Sequence, residues 1–293
     1  MKLLLLGANG QVGHELRRAL APLGAVACGT RDGRLDGGAC ERADFDQPAG
    51  LRGLVERLAP DVVVNAAAYT AVDRAESERA AAFRANAEAP AALADACAHV
   101  GARLVHYSTD YVFDGSERRP YREDDPTAPL GVYGESKLAG EDAIRASAAH
   151  HMIFRTAWVY AVHGSNFLRT MLRLAREREE LRVVADQFGS PTPAALVADV
   201  TATVLAQSPR VSGTWHLTAT GKTSWHGFAS AIVDRAHGLG LLTRRPTMTA
   251  ITTAEYPTPA CRPAYSCLDC ARLQRDFGVH LPAWQAALDA ILV

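Results

Sequence analysis

Gly7, Gly10 and Gly13 stand between the apolar run Leu3-Leu4-Leu5-Leu6 and a helix-period stretch that opens at Gln11-Val12. This junction constrains the chain more than any other feature. Without side chains the backbone can turn tightly out of a buried strand and approach a diphosphate. The anion then meets the N–H groups and positive dipole end of the following helix. Glycines can also serve plain strand-to-helix packing, and context separates the two readings. Apolar runs at 3–6, 25–28, 62–65, 104–107 and 153–155 alternate with helix-period stretches at 11–21, 49–58, 78–100 and 133–148. Such alternation marks βαβ units, so the expected fold class is α/β, a Rossmann-type doubly wound parallel sheet. Past about residue 181, prolines that include Pro191, Pro193, Pro209, Pro246 and Pro282 cut the pattern into short pieces. That part is expected to form a smaller, mixed α/β substrate-binding lobe. Residues 1–180 would then be mainly the NAD(P)-binding domain and 181–293 mainly the second lobe. The two are expected to interleave, because no Gly/Ser-rich or charged spacer separates them.

Composition excludes several classes. Lys and Arg number 31 against 32 Asp and Glu, so nucleic-acid binding by counterion release is not expected. No stretch approaches the ~18 apolar residues of a membrane span, and the run after Met1-Lys2 stops at Gly7, too short for a signal peptide. Six cysteines in 293 residues point to reduced thiols in the cytoplasm. Cys267 and Cys270 have the spacing of half a zinc site, but no second pair completes it, and no metal is expected there.

Tyr133 and Lys137 lie at i and i+4 on one helical face. A phenol titrates near 10 and works at neutral pH when a neighbouring cation favours its phenolate, a role open to Lys137. Upstream, Val105-His106-Tyr107-Ser108-Thr109-Asp110 is a strand that ends in hydroxyls, placing Thr109 to bond a reacting oxygen and Asp110 to assist it. His106, His150 and His151 read as satisfied or surface histidines. The second strand ends at Thr30-Arg31 with no acid at position 30, which favours NADPH; Asp32 would restore NADH if the strand ran further. Asp44 and Phe45 are expected to flank the adenine. The small residues of the segment 65–70, with Ala67, Ala68, Tyr69 and Thr70, would permit close cofactor approach.

Several of these segments occur in one order: Gly10-Gln11-Val12-Gly13, Asn65 to Glu76, Ser108 to Gly115, Tyr133 to Glu141, Phe154 to Tyr160, Asp186 to Thr192 and Arg262 to Ser266. In that order they resemble the dTDP-4-dehydrorhamnose reductase family of extended short-chain dehydrogenases/reductases, across essentially the whole chain. The resemblance implies reduction at C4 of dTDP-4-dehydro-β-L-rhamnose, the last step of dTDP-rhamnose synthesis, by NADPH or NADH. It implies Tyr133 as proton donor, Lys137 lowering its pKa and holding the ribose, and Thr109 with Asp110 positioning the sugar. Trp158 would pack on the sugar ring, Asp73 would face substrate, Arg262 would clamp the diphosphate, and Gln187 would read the nucleotide base. The expected partner is a nucleotide-sugar, without nucleic acid or membrane, and the chain would be a monomer or homodimer. Two departures matter. Cys261 replaces a basic residue expected beside Arg262. Glu15 matches a family glutamate associated with Mg²⁺, but Ala195 replaces another and no acidic tail precedes Val293, which argues against a magnesium-dependent dimer. A ketoreductase for another nucleotide deoxysugar, or a cofactor-binding regulatory subunit of a methionine adenosyltransferase, would fit the same motifs.

Overall fold

Seven parallel strands carry the fold in a computed structural model that describes residues 1–207 and 211–292; Pro209 and Val293 lie outside them. The first lobe runs β1 (Lys2–Leu6), α1 (Gln11–Leu20), β2 (Ala25–Thr30), α2 (Ala49–Leu58) and β3 (Val62–Asn65), then α3 (Ala89–Val100), β4 (Arg103–Thr109), α4 (Val132–Ala146) and β5 (His150–Thr156). Further along come α5 (Phe167–Glu177), α6 (Ala194–Ala206), β6 (Gly213–His216) and α7 (Trp225–Gly238). Across the sheet the order is β6-β5-β4-β3-β1-β2, closed at the far edge by the short strand Glu41–Arg42, and every pair is parallel. Strand order reverses between β1 and β3. Connections leave that point in opposite directions and open a crevice at the carboxyl ends of the strands.

Both faces of the sheet are covered, which is why β1 is apolar at consecutive positions rather than alternating. Leu3 and Leu5 pack with Leu16 and Leu20 of α1 and Val197 and Val204 of α6. Leu4 and Leu6 face the opposite layer, with Leu51 and Leu54 of α2 and Leu93 of α3. A separate core unites Leu168 and Met171 of α5, Phe228 and Ile232 of α7, Trp284 and Leu288. Beside it, strands Glu180–Val184 and Thr247–Ile251 pair in parallel. Among the described residues, no helix is long and apolar enough to cross a membrane.

The stretch 78–100, expected as one helix, is instead two α segments, Arg79–Phe83 and α3, joined by a π turn at Arg84–Glu88. Pro90 supplies the reason. It has no N–H to offer the Asn86 carbonyl four residues back, and the wider turn absorbs the mismatch. That carbonyl lies against Gly140 of α4, where a Cβ would stand 2.0 Å from it. The Asn86 side chain accepts from Tyr69 N–H at 2.9 Å and donates to Ser136 Oγ at 3.0 Å, joining the π turn to the loop after β3 and to α4.

Candidate active site

Gly7 takes φ +75°, and a Cβ on it would sit 2.6 Å from Ala67 N, so this turn and the loop after β3 touch only because the residue is glycine. A Cβ on Gly13 would fall 2.0 Å from Gly7 O; Gly13 acts in seating α1 on the turn and does not line the cleft. Helix α1 starts after Gly10 with no side-chain cap and no acid in its first turn, leaving its leading N–H groups for an external anion. Gly7, Gly10, Gln11 and Val12 line a cleft of about 860 Å³ together with Arg31, Asp32, Phe45, Ala67, Ala68 and Thr70. These residues suit a dinucleotide. A second hollow of about 570 Å³, lined by Arg17, Cys28, Asp36 and Cys40, shares no residue with this cleft.

Strand β2 ends at Thr30, as the NADPH reading needs. Thr30 is buried, its hydroxyl 3.0 Å from Asp32 Oδ1 and accepting the Arg34 amide at 3.0 Å, so it faces a turn and not the cleft. The Thr30 hydroxyl also holds the Asp32 carboxyl below the usual carboxylate range. Arg31 stays exposed on the rim, 3.9 Å from Asp46. Asp44 accepts from the Asp46 amide at 3.1 Å and lies off the cleft wall, whereas its neighbour Phe45 is on it. Tyr69 is also turned away, its hydroxyl donating to Glu78 Oε2 at 2.6 Å.

Opposite the glycine turn, the carboxyl end of β4 and the first turns of α4 bring Thr109, Asp110, Tyr133 and Lys137 to one wall of the same cleft. Although the Tyr133 residue is half-buried, its hydroxyl is deep in the cleft. Burial pushes the phenol up to about 12, offset in part by a hydrogen bond with Thr109. Asp110 is buried too; desolvation lifts its carboxyl to about 6, and its Oδ1 accepts from Thr109 Oγ1 at 3.0 Å. The expected lowering of the Tyr133 pKa by Lys137 is not what this geometry gives. Lys137 Nζ donates to Tyr107 O at 2.6 Å and lies 3.2 Å from His106 Nε2.

That contact defines a protonation pattern. Asn65 Oδ1 accepts from Ala67 N–H at 3.1 Å, which fixes its amide so that Nδ2 donates to His106 Nδ1 at 3.0 Å. This places the ring proton on Nε2, the nitrogen that faces Lys137 Nζ. Burial lowers Lys137 to about 8. His106 is likewise held well below its usual value, first by burial and then by Lys137. His150 and His151 lie at the start of β5, away from the cleft.

Trp158 lines the far side in a left-handed conformation, φ +47°, a costly setting for a bulky residue. Its indole stacks on Trp225 of α7 at 3.5 Å between centroids and 4° between planes, and both rings line the cleft. Thr156 joins them with an unpartnered hydroxyl; it is the register partner of Thr109 on the next strand. Sequence reasoning missed Thr156, Trp225 and the 165–167 segment on the wall. For Thr156 the signal was present, a second strand ending in a hydroxyl. Three expected substrate residues lie off the wall. Asp73 and Arg262 close on each other through two bonds of 3.0 and 2.8 Å, and Gln187 donates to Thr253 Oγ1 at 3.0 Å. Cys267 and Cys270 are buried, and among the described residues they belong to no metal-ligating cluster.

A family model described as RmlD substrate binding domain matches residues 1–293. The dTDP-4-dehydrorhamnose reductase of Shigella flexneri is 49% identical over 296 residues, covering 100% of this chain and 97% of that protein. That of Burkholderia thailandensis is 51% identical, covering 98% and 97%. Among solved structures, a dTDP-4-dehydrorhamnose reductase from Bacillus anthracis in complex with NADP superposes with a TM-score of 0.90 at 35% identity, covering 99% of each chain. One from Clostridium acetobutylicum also gives 0.90, at 36% identity, covering 100% and 98%. With its glycine turn, its Tyr133–Lys137 helix and this likeness along its whole length, the chain belongs to the dTDP-4-dehydrorhamnose reductase family.

Proposed function

We propose that this chain reduces the C4 ketone of dTDP-4-dehydro-β-L-rhamnose to dTDP-β-L-rhamnose, the last step of dTDP-rhamnose synthesis, with NADPH preferred to NADH. The observation that carries the reading is the Tyr133 phenol, buried beside Thr109 and still protonated far above neutral pH, in the cleft that holds the uncapped end of α1. A bound reduced nicotinamide supplies the hydride to C4. Tyr133 gives its proton to the C4 oxygen, turning the carbonyl into an alcohol, while the Thr109 hydroxyl bonds that oxygen. Asp110 and Thr156 take sugar hydroxyls, the Trp158–Trp225 stack covers the ring, and Lys137 holds the ribose. Arg31 meets a ribose 2′-phosphate, since it is exposed on the rim of the cleft while Asp32 is tied to Thr30. Residues 1–180 mainly carry the cofactor, and 181–293 reach the substrate side through Trp225. Magnesium has no part in this reading: Glu15 is paired with His163 at 2.9 Å, and Ala195 offers no oxygen side chain.

The test is oxidation of NADPH by purified protein with freshly generated dTDP-4-dehydro-L-rhamnose, run beside NADH and beside Tyr133→Phe. Turnover in the variant should fall at least about 100-fold while NADPH affinity stays within about twofold, since one hydroxyl is lost. Full activity in Tyr133→Phe would refute the proton donor, and equal affinity for both cofactors would refute the role of Arg31. Silence with both cofactors bound would shift the reading to another nucleotide deoxysugar or to a regulatory subunit.

A further inference from the structure

His14 and Glu15, neighbours on α1, face His163 in the loop that leads into α5. An imidazole nitrogen from each histidine and a carboxylate oxygen all lie within 4.8 Å of one another. His163 Nε2 is 2.9 Å from Glu15 Oε1, and the two imidazole rings are 4.2 Å apart between centroids at 46°. We propose that these three side chains bind a divalent transition ion of the Zn²⁺ class, with water completing the tetrahedron.

The donor set selects the metal. Two imidazoles and one carboxylate suit a borderline-soft ion, whereas Mg²⁺ keeps to oxygen ligands in a strict octahedron. Ligand atoms about 2.1 Å from a tetrahedral ion stand roughly 3.4 Å from one another, so rotamer-scale shifts close the present spread. Arg18 lies 3.8 Å from Glu15 Oε2 and is anchored to Asp199 at 2.7 Å, while Oε1 is the oxygen turned to His163 and into the cluster. His14 is exposed and its imidazole makes no hydrogen bond among the described residues, so the ring is available. This is also the one cluster of three such ligands among the described residues. The ion would tie α1, whose start holds the glycine turn, to a loop whose next residues, Ser165, Asn166 and Phe167, line the cofactor cleft.

The experiment titrates tag-free, metal-stripped protein with Co²⁺, read by its visible d–d absorption, and with Zn²⁺, read calorimetrically. One equivalent should bind with tetrahedral Co²⁺ bands and resist displacement by excess Mg²⁺. His163→Gln and Glu15→Gln should each weaken binding at least tenfold, the lower end of what even outer-shell partners of a metal contribute. His14→Asn disturbs no hydrogen bond and should weaken binding as much, so loss of affinity is separable from loss of the His163–Glu15 pair. Unaltered affinity in His163→Gln and His14→Asn, displacement by Mg²⁺, or absence of a stoichiometric site would overturn the proposal.

Discussion

Asp110 shows what this wall of the cleft costs. Its carboxyl is buried, and desolvation raises its pKa from 3.8 to about 6, so the folded protein binds that proton more tightly than the unfolded chain. Stability from this group is greatest when it is protonated, below about 4, and is lost as pH rises through about 6. The difference corresponds to about 3 kcal/mol as an upper bound. Asp110→Asn should therefore stabilise the protein at about pH 7.5 by up to that amount and much less at about pH 4.5, while lowering activity. Urea unfolding of both proteins at both pH values measures this, and an equal gain at the two would contradict it. At this scale the sequence was partly legible. That Tyr133, Lys137, Thr109 and Asp110 meet in one cleft was readable because each pair is local, one helical turn or one strand end. The Asp73–Arg262 pair spans 189 residues, and no spacing in the sequence announces that Arg262 is already occupied.

The helix that carries Tyr133 and Lys137 is held from its other end. Glu141, on α4 and fully buried, accepts from Arg155 of β5 at 2.9 and 2.7 Å and from Arg145 at 2.8 Å. Removing one partner strands a buried charge, at a cost of about 3–5 kcal/mol, against a total of about 5–15 for an ordinary domain. Glu141→Gln should lower stability by that amount and, by loosening α4, reduce turnover as well. Replacing both residues together, Glu141→Met with Arg155→Met, should recover most of the stability because no buried charge is left unpaired and Arg145, partly exposed, keeps Asp142 at 2.6 Å. A double variant as unstable as the single one would show that the pair does more than cancel its own burial. Strands and helices were largely legible as elements because periodicity is local. The π turn was not, although Pro90 marked the place: a proline says that a helix is disturbed there, and only packing against Gly140 decides how.

Whether the chain is divisible depends on which core each half completes. The first lobe does not close with its own residues. Val197, Ala198, Val204 and Leu205 of α6, Trp215 of β6, and Leu273 and Phe277 share one cluster with Leu3, Leu5, Leu16 and Phe154. Strand β6 pairs with β5, and Tyr107 of β4 shares a 2.8 Å hydrogen bond with Thr201 of α6, both groups buried. A fragment of residues 1–180 would thus expose one face of its sheet and leave the β5 edge open, a template for aggregation rather than a domain. We expect this fragment to lack a cooperative thermal transition and to bind NADPH at least tenfold more weakly than the whole chain, because the sheet that aims the glycine turn is uncovered. Coexpression with residues 181–293 should restore both, since the missing pieces are supplied even without the covalent link. Calorimetry and cofactor titration on the fragment, the reassembled pair and the whole chain decide the matter. A fragment that melts cooperatively and binds like the intact protein would mean that α6 and β6 merely decorate a self-sufficient domain.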